Sequence, residues 1–205
     1  MFLKICGITR HDDARHAVEE GATALGFVFW PGSPRHVSVD LAEEIISKLP
    51  RGITAVGVFV NEPVTGIRDV IARTGIHTVQ LHGDESPEYA HLLTCPLMRA
   101  VGVDAVEDVC AAWPESVTFL VDGADPVRRG GTGVVTDWNG AAKLARRRRV
   151  VLAGGLTPAN VAEAVTKVRP FGVDVSSGVE RSAGVKDSDK VTRFLVNARR
   201  AFETR

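Results

Sequence analysis

Short apolar runs rich in β-branched residues recur eight times along this chain, and that recurrence restricts its fold more than any other feature. The runs are FLKICG at 2–7, TALGFVF at 23–29, TAVGVFV at 54–60, TVQLHG at 78–83, LMRAVGV at 97–103, TFLVDG at 118–123, VVLAGG at 150–155 and FGVDVSSG at 171–178. Each has the length of a buried strand, and the stretches between them leave room for helices. Several stretches carry helix signals. Ser86-Pro87-Glu88 and Thr157-Pro158 place a capping residue before proline at a first helical position. Gly21 and Gly75 follow amphipathic segments (Ala14, Ala17, Val18; Ile67, Val70, Ile71) where a left-handed C-terminal residue is wanted. From about Asp187 to Arg205, the residues Val191, Phe194, Leu195 and Ala198 recur at helical spacing.

Strand and helix in strict alternation predict parallel strands joined by crossover helices. A doubly wound open sheet of this kind normally carries a dinucleotide fingerprint after its first strand, and the loop after FLKICG lacks GxGxxG. A (βα)8 barrel uses eight units by construction, and 205 residues fall at the short end of its range. The expected fold is therefore α/β, a single-domain TIM barrel of eight parallel strands spanning residues 1–205; no linker or low-complexity stretch marks a second domain.

Charge narrows the partners. Twenty-five basic residues against 25 acidic ones leave no net field to attract nucleic acid, an anionic membrane or an acidic protein, so any bound anion must be held locally. The N-terminal residues MFLKICGITRHDD hold no signal-peptide core, and no window approaches a membrane span, which points to a cytoplasmic protein. Cys6, Cys95 and Cys110 are odd in number and show no CxxC spacing, so they read as free thiols.

The working face of such a barrel is the C-terminal end of its strands. The polar residues ending the runs are Cys6, His82, Asp122, Gly154-Gly155 and Ser176-Ser177-Gly178, with Arg35 in the loop after the second run. Alternation puts Gln80 with His82 on one face, Leu120 with Asp122, and Asp174 with Ser176. Glycines ending the seventh and eighth runs let backbone N–H groups approach a phosphate; equally, they permit tight turns. RRGGTG at 128–133 could form a lid or a ligand wall.

Cys6 and Asp122 are the candidate proton carriers, although each has a plain structural reading, the thiol as a small buried hydrophobe and the carboxylate as a turn residue. The thiol serves as a base only where positive charge favours its thiolate, and Lys4, two residues back on the same face, is one source. Asp122 follows the apolar FLV, where desolvation would preserve its proton. The two environments are expected to push in opposite directions. Arg35 is suited to bidentate capture of a carboxylate. His82 could contact a ligand or fill the barrel mouth. Arg146 to Arg149 resemble an anion patch but are expected to cap a helix C-terminus in water.

Taken together, KICGIT, GFVFWPGSPRHVS, VGVFVNE, VQLHGDESPEY, GGTG, LAGGLTPANV, VDVSSGVE and GVKD resemble, in order and over essentially the whole chain, the phosphoribosylanthranilate isomerases of tryptophan biosynthesis. The resemblance implies an aldose–ketose isomerase on a (βα)8 barrel without metal or organic cofactor. Its reaction is the Amadori rearrangement of N-(5'-phosphoribosyl)anthranilate to 1-(2-carboxyphenylamino)-1-deoxyribulose 5-phosphate. It further implies Cys6 as general base, Asp122 as general acid, Arg35 on the anthranilate carboxylate, and phosphate on Gly154, Gly155, Ser177 and Gly178, with Gln80 and His82 lining the pocket. The partner it implies is a phosphorylated small molecule, and monomer and homodimer stay open. Two positions depart from the family pattern: Gly123 after the acid, often serine in relatives, and Val134 after GGTG, where lysine is common. A histidine-pathway aminoaldose isomerase would be expected to carry a carboxylate in place of Cys6. A metal-dependent epimerase would need more strand-end ligands than His82. A non-catalytic phosphometabolite-binding barrel would need neither Cys6 nor Asp122.

Overall fold

The computed structural model describes residues 1–102, 110–123 and 137–205. Eight strands, β1 (Phe2–Cys6), β2 (Ala24–Val28), β3 (Thr54–Phe59), β4 (Thr78–Leu81), β5 (Leu97–Gly102), β6 (Thr118–Asp122), β7 (Val150–Leu152) and β8 (Gly172–Val175), close into one barrel in chain order. All neighbours are parallel, and β8 returns to β1 with Leu3 against Val173 and Lys4 against Asp174. Around the barrel lie α1 (His11–Glu19), α2 (Val39–Ser47), α3 (Val64–Thr74), α4 (Tyr89–Leu92), α5 (Trp138–Ala145), α6 (Val161–Val168) and α7 (Ser188–Glu203). A small antiparallel hairpin, β9 (Glu180–Ser182) with β10 (Val185–Lys186), is inserted between β8 and α7.

The two-residue period of a strand explains why the runs are apolar almost throughout: both faces are covered. Leu3, Ile5, Leu25, Phe27, Val79, Leu81, Phe119 and Val121 point outward into the layer shared with the helices. Ala24, Val56, Met98, Leu120, Val151 and Ala153 point inward and fill the barrel. Above that inner layer the pattern breaks, because the inward positions Lys4, Gln80 and Asp174 are polar and buried. A polar layer inside an otherwise apolar barrel costs solvation free energy. Its retention marks the end of the barrel where the chemistry lies.

Most helix signals act locally as expected. Gly75 ends α3 at φ 71°, its N–H reaching Ile71 O, and Gly21 stands at φ 94°. The Asp187 carboxylate accepts from the Lys190 amide to start α7. Two expected starts are displaced. After Thr157-Pro158 the chain makes a turn first, and α6 begins at Val161, because Asn160 is already committed to the loop: its Oδ1 accepts from Thr157 N (2.8 Å) and its Nδ2 donates to Gly155 O (3.0 Å). Ser86-Pro87 leads only into the four-residue α4, through i to i+3 turns.

Of the four arginines, Arg146 caps the C-terminus of α5 and is exposed with Arg147, as expected, whereas Arg148 departs from that reading. Arg148 is half-buried, not a solvated cap: it donates to Cys110 O (2.5 Å) and Pro114 O (2.6 Å), and its guanidinium stacks over Phe119 at 4.6 Å. Arg149 lies over Phe171. Arg148 thus pins the segment before β6 to the barrel floor, opposite the strand ends. Arg148→Met is expected to destabilise the fold by about 1–3 kcal/mol, measured from the midpoint of denaturant unfolding, with catalysis unchanged. Among the described residues no helix is long and apolar enough to cross a membrane.

Candidate active site

Cys6 closes β1 facing the barrel interior, and the residues around it are arranged to leave its sulfur room. Gly26, its register partner on β2, has no side chain; a Cβ there would lie 2.7 Å from Cys6 Sγ and 3.0 Å from Lys4 Cε. Gly7 follows at φ 75°, and a Cβ on it would meet Arg35 Cδ at 2.6 Å. The glycine after the thiol therefore permits both a left-handed turn and the passage of Arg35 across it.

From Cys6 a polar path crosses the barrel to Asp122. Lys4 Nζ, fully buried, contacts Asp174 Oδ2 at 3.1 Å and donates to Gln80 Oε1 at 2.8 Å. Gln80 Nε2 lies 2.9 Å from His82 Nδ1, and His82 Nε2 lies 3.7 Å from Asp122 Oδ2. Since the amide nitrogen of Gln80 can only donate, the contact calls for the His82 proton on Nε2, on the side of Asp122. The loop that carries His82 is itself buttressed: the buried Glu85 carboxylate accepts from Gly83 N, Asn61 N and Arg99 Nη1.

The two proton carriers do not diverge as the sequence suggests. Burial pushes Asp122 up to about 6, the Asp174 charge adding to the effect while the Gly123 N–H and Lys4 oppose it. Burial also pushes the Cys6 thiol above its ordinary value; Lys4 and Lys186 work against that rise, Asp174 with it. The expected lowering at Cys6 is outweighed because a fully enclosed thiolate loses its hydration. Lys4 keeps its charge: burial would release its proton, but Asp174 and Cys6 more than offset this and hold its pKa above the usual lysine value.

The strand ends of β7 and β8 form a glycine cradle next to Asp122. A small cleft open to solvent is lined by Asp122, residues 153–156 and residues 174–178. Gly154 and Gly155 stand at φ 74° and 64°, which explains two glycines in succession. A Cβ on Gly178 would fall 1.9 Å from Leu156 O, so the two loops touch backbone to backbone there. Asp174 Oδ1 is buried at this cleft without a hydrogen-bond donor among the described residues.

Arg35 is not a free loop cation. Its Nε and Nη2 donate to the two carboxylate oxygens of Glu180 at 2.9 and 2.8 Å. Glu180 also accepts from Lys186 Nζ at 2.8 Å, and Lys186 Nζ donates to Cys6 O at 2.5 Å. Both cations keep the Glu180 pKa below the ordinary value despite its burial. The hairpin β9–β10 thereby ties the ends of β1 and β8 to the loop after β2, and it leaves the Nη1 and Nη2 end of Arg35 for a further anion. VDVSSGVE and GVKD contain Glu180 and Lys186, but nothing in their spacing shows that the two fold back over β1. Strand alternation likewise shows only which face Asp174 is on. RRGGTG and Val134 lie outside the described residues.

Comparison with known proteins agrees with this geometry. A family model described as N-(5'phosphoribosyl)anthranilate (PRA) isomerase matches residues 3–197. An N-(5'-phosphoribosyl)anthranilate isomerase of Citrifermentans bemidjiense is 46% identical over 199 residues, covering 97% of each chain. The solved phosphoribosyl anthranilate isomerase of Thermotoga maritima superimposes with a TM-score of 0.90 at 40% identity, over 97% of this chain and 98% of the other. A second solved structure of such an isomerase, in complex with reduced 1-(o-carboxyphenylamino)-1-deoxyribulose 5-phosphate, gives 0.87 at 40% identity, over 97% and 98%. A barrel that matches these proteins nearly end to end, with a thiol and a carboxylate at its working face, belongs to the N-(5'-phosphoribosyl)anthranilate isomerase family.

Proposed function

We propose that the chain, acting as one barrel domain, converts N-(5'-phosphoribosyl)anthranilate to 1-(2-carboxyphenylamino)-1-deoxyribulose 5-phosphate, with Asp122 as general acid and Cys6 as general base. The observation that carries this reading is the shared rim: Asp122 lines the same cleft as the glycine cradle, and a polar path joins it to the thiol that ends β1. Family membership points to the substrate, and the geometry supports these roles.

In the first step Asp122 gives its proton to the ribose ring oxygen while the anilino nitrogen lone pair forms the C1'=N bond and the C1'–O bond breaks. The product is a protonated Schiff base, which acidifies the C2' hydrogen. Cys6 then takes that hydrogen as a proton, and the C–H electron pair becomes the C1'=C2' bond as nitrogen returns to neutrality. The enolamine tautomerises to the ketone. No electrons leave the substrate, so acid, base and positioning suffice. Phosphate in the loops of Gly154, Gly155, Ser177 and Gly178 fixes one end of the molecule, and the open end of Arg35 fixes the carboxylate at the other. A ribose hydroxyl is the natural donor to Asp174 Oδ1, with Gln80 and His82 forming the wall between. Holding both ends keeps C2' between acid and base, which is much of the rate enhancement.

Purified protein should turn over N-(5'-phosphoribosyl)anthranilate and leave the aminoaldose of histidine biosynthesis unchanged; the reverse preference would replace this reading with the histidine-pathway one. Arg35→Met is expected to raise KM for the substrate by about 10- to 100-fold while ribose 5-phosphate inhibits as before. Equal weakening of both ligands would remove Arg35 from the carboxylate site.

A further inference from the structure

We infer that Lys4 is a positioning residue for the base: its buried ammonium, held between Asp174 and Gln80 and laid alongside Cys6 over the space left by Gly26, sets how much thiolate the reaction can draw on. The inference rests on the reading of Cys6 as the base and concerns a group for which the mechanism above has no use. A lysine fully enclosed in a barrel is costly and needs a return. Asp174 alone explains neither its position nor its contacts. Lys4 and Asp174 are register partners on adjacent strands, which accounts for their ion pair but not for the thiol laid beside it. Here the stem of the lysine passes over Gly26, where a Cβ would strike Cys6 Sγ and Lys4 Cε together, so the two side chains share one compartment.

Charge around the sulfur is otherwise nearly balanced. From its own strand it faces Lys4; from β8, Asp174; from the hairpin, Lys186; from the loop after β2, Arg35. Arg35 and Lys186 both bond Glu180 and so deliver their charge to the sulfur already partly neutralised. Lys4 is the cation whose withdrawal would leave Asp174 opposed at the thiol only by the Glu180-paired Lys186 and Arg35. The resting site also carries its mobile proton on the wrong partner. With Asp122 near 6 and the thiol above its ordinary value, neutral pH favours carboxylate and thiol, whereas the first two steps require carboxylic acid and thiolate. Turnover then runs through a minor protonation state. Its population falls tenfold for each unit by which the thiol pKa rises further. A neutral residue at position 4 would therefore lower the rate between the two pKa values and move the alkaline limb upward, by matching factors.

The test compares pH profiles of kcat and the thiolate ultraviolet absorbance, taken as the difference from Cys6→Ser, for wild type, Lys4→Met and Lys4→Arg. Lys4→Met should lose about 10- to 100-fold in kcat at pH 7 with KM within a few-fold. Its alkaline limb and thiolate titration should both move up by the same factor, and the acid limb near pH 6 should move up by less, because Lys4 also opposes the rise of the Asp122 pKa but is the last of its causes in size. Lys4→Arg, which keeps the charge, should restore the titration toward wild type. Should Lys4→Met fold poorly with Asp174 unpaired, Lys4→Met/Asp174→Asn removes the stranded carboxylate, and the wild-type comparison then becomes Asp174→Asn. A lower kcat with unmoved limb and titration would overturn the inference and leave Lys4 a structural residue. An active Cys6→Ser would overturn the reading of Cys6 itself, which is a separate failure.

Discussion

Asp122→Asn should lower kcat by about 10² to 10⁴ while KM and ribose 5-phosphate inhibition change by no more than a few-fold. The amide fits the space of the carboxyl and can still accept from Gly123 N, which bonds Asp122 Oδ1 at 2.8 Å, so geometry is preserved and only the transferable proton is lost. The same substitution should stabilise the fold above pH 6. A carboxyl whose pKa rises from 3.8 to about 6 on folding is protonated more readily in the native state than in the unfolded chain. Between those values the native state binds more protons, and stability falls as pH increases. Above them the cost of holding the buried charge is constant. Asparagine removes that cost, and after allowance for the lost contact with His82 the gain should be about 1–2 kcal/mol at pH 8 and absent at pH 3. Denaturant midpoints of both proteins at the two pH values measure it. A variant that is slower and also less stable at pH 8 would show that Asp122 serves the fold.

Cys6→Ser is the second large effect, a fall of about 10² to 10⁴ in kcat. Serine keeps the shape of the side chain with oxygen in place of sulfur, but its hydroxyl is scarcely deprotonated near neutral pH and is a far poorer acceptor of a carbon-bound proton. Its stability cost should stay near 1 kcal/mol, since the pocket around Sγ is formed by Gly26, Val28 and Val58 and collapses little. Ligand binding should persist, because phosphate and carboxylate are gripped elsewhere. Retention of activity within a few-fold of wild type would return Cys6 to the role of packing.

The fold was legible because barrel strands buried on both faces write themselves as near-continuous apolar runs, and all eight runs quoted from the sequence contain a strand. Helix starts were less legible where a polar side chain had another task, as Asn160 does in tying Gly155. Strand ends named Cys6, His82 and Asp122, since polarity at the end of an apolar run is a local signal. Lys4 and Asp174 were harder to read: they sit mid-strand, and their pairing is a matter of register between the first and last strands. Glu180, Lys186 and their hold on Arg35 were not legible at all, because a hairpin folding back across the barrel mouth has no local signature. The expected fall in the Cys6 pKa failed for a related reason. Sequence shows a neighbouring lysine but not the degree of enclosure, and enclosure dominates.

Division of labour between acid and base is the central claim, and a hydrogen isotope at C2' addresses it. Substrate carrying deuterium at that carbon should react with a full primary isotope effect on kcat in Cys6→Ser, where proton abstraction has become limiting. It should react with none in Asp122→Asn, where ring opening limits. Equal isotope effects in the two variants would contradict the assignment of one residue to each step.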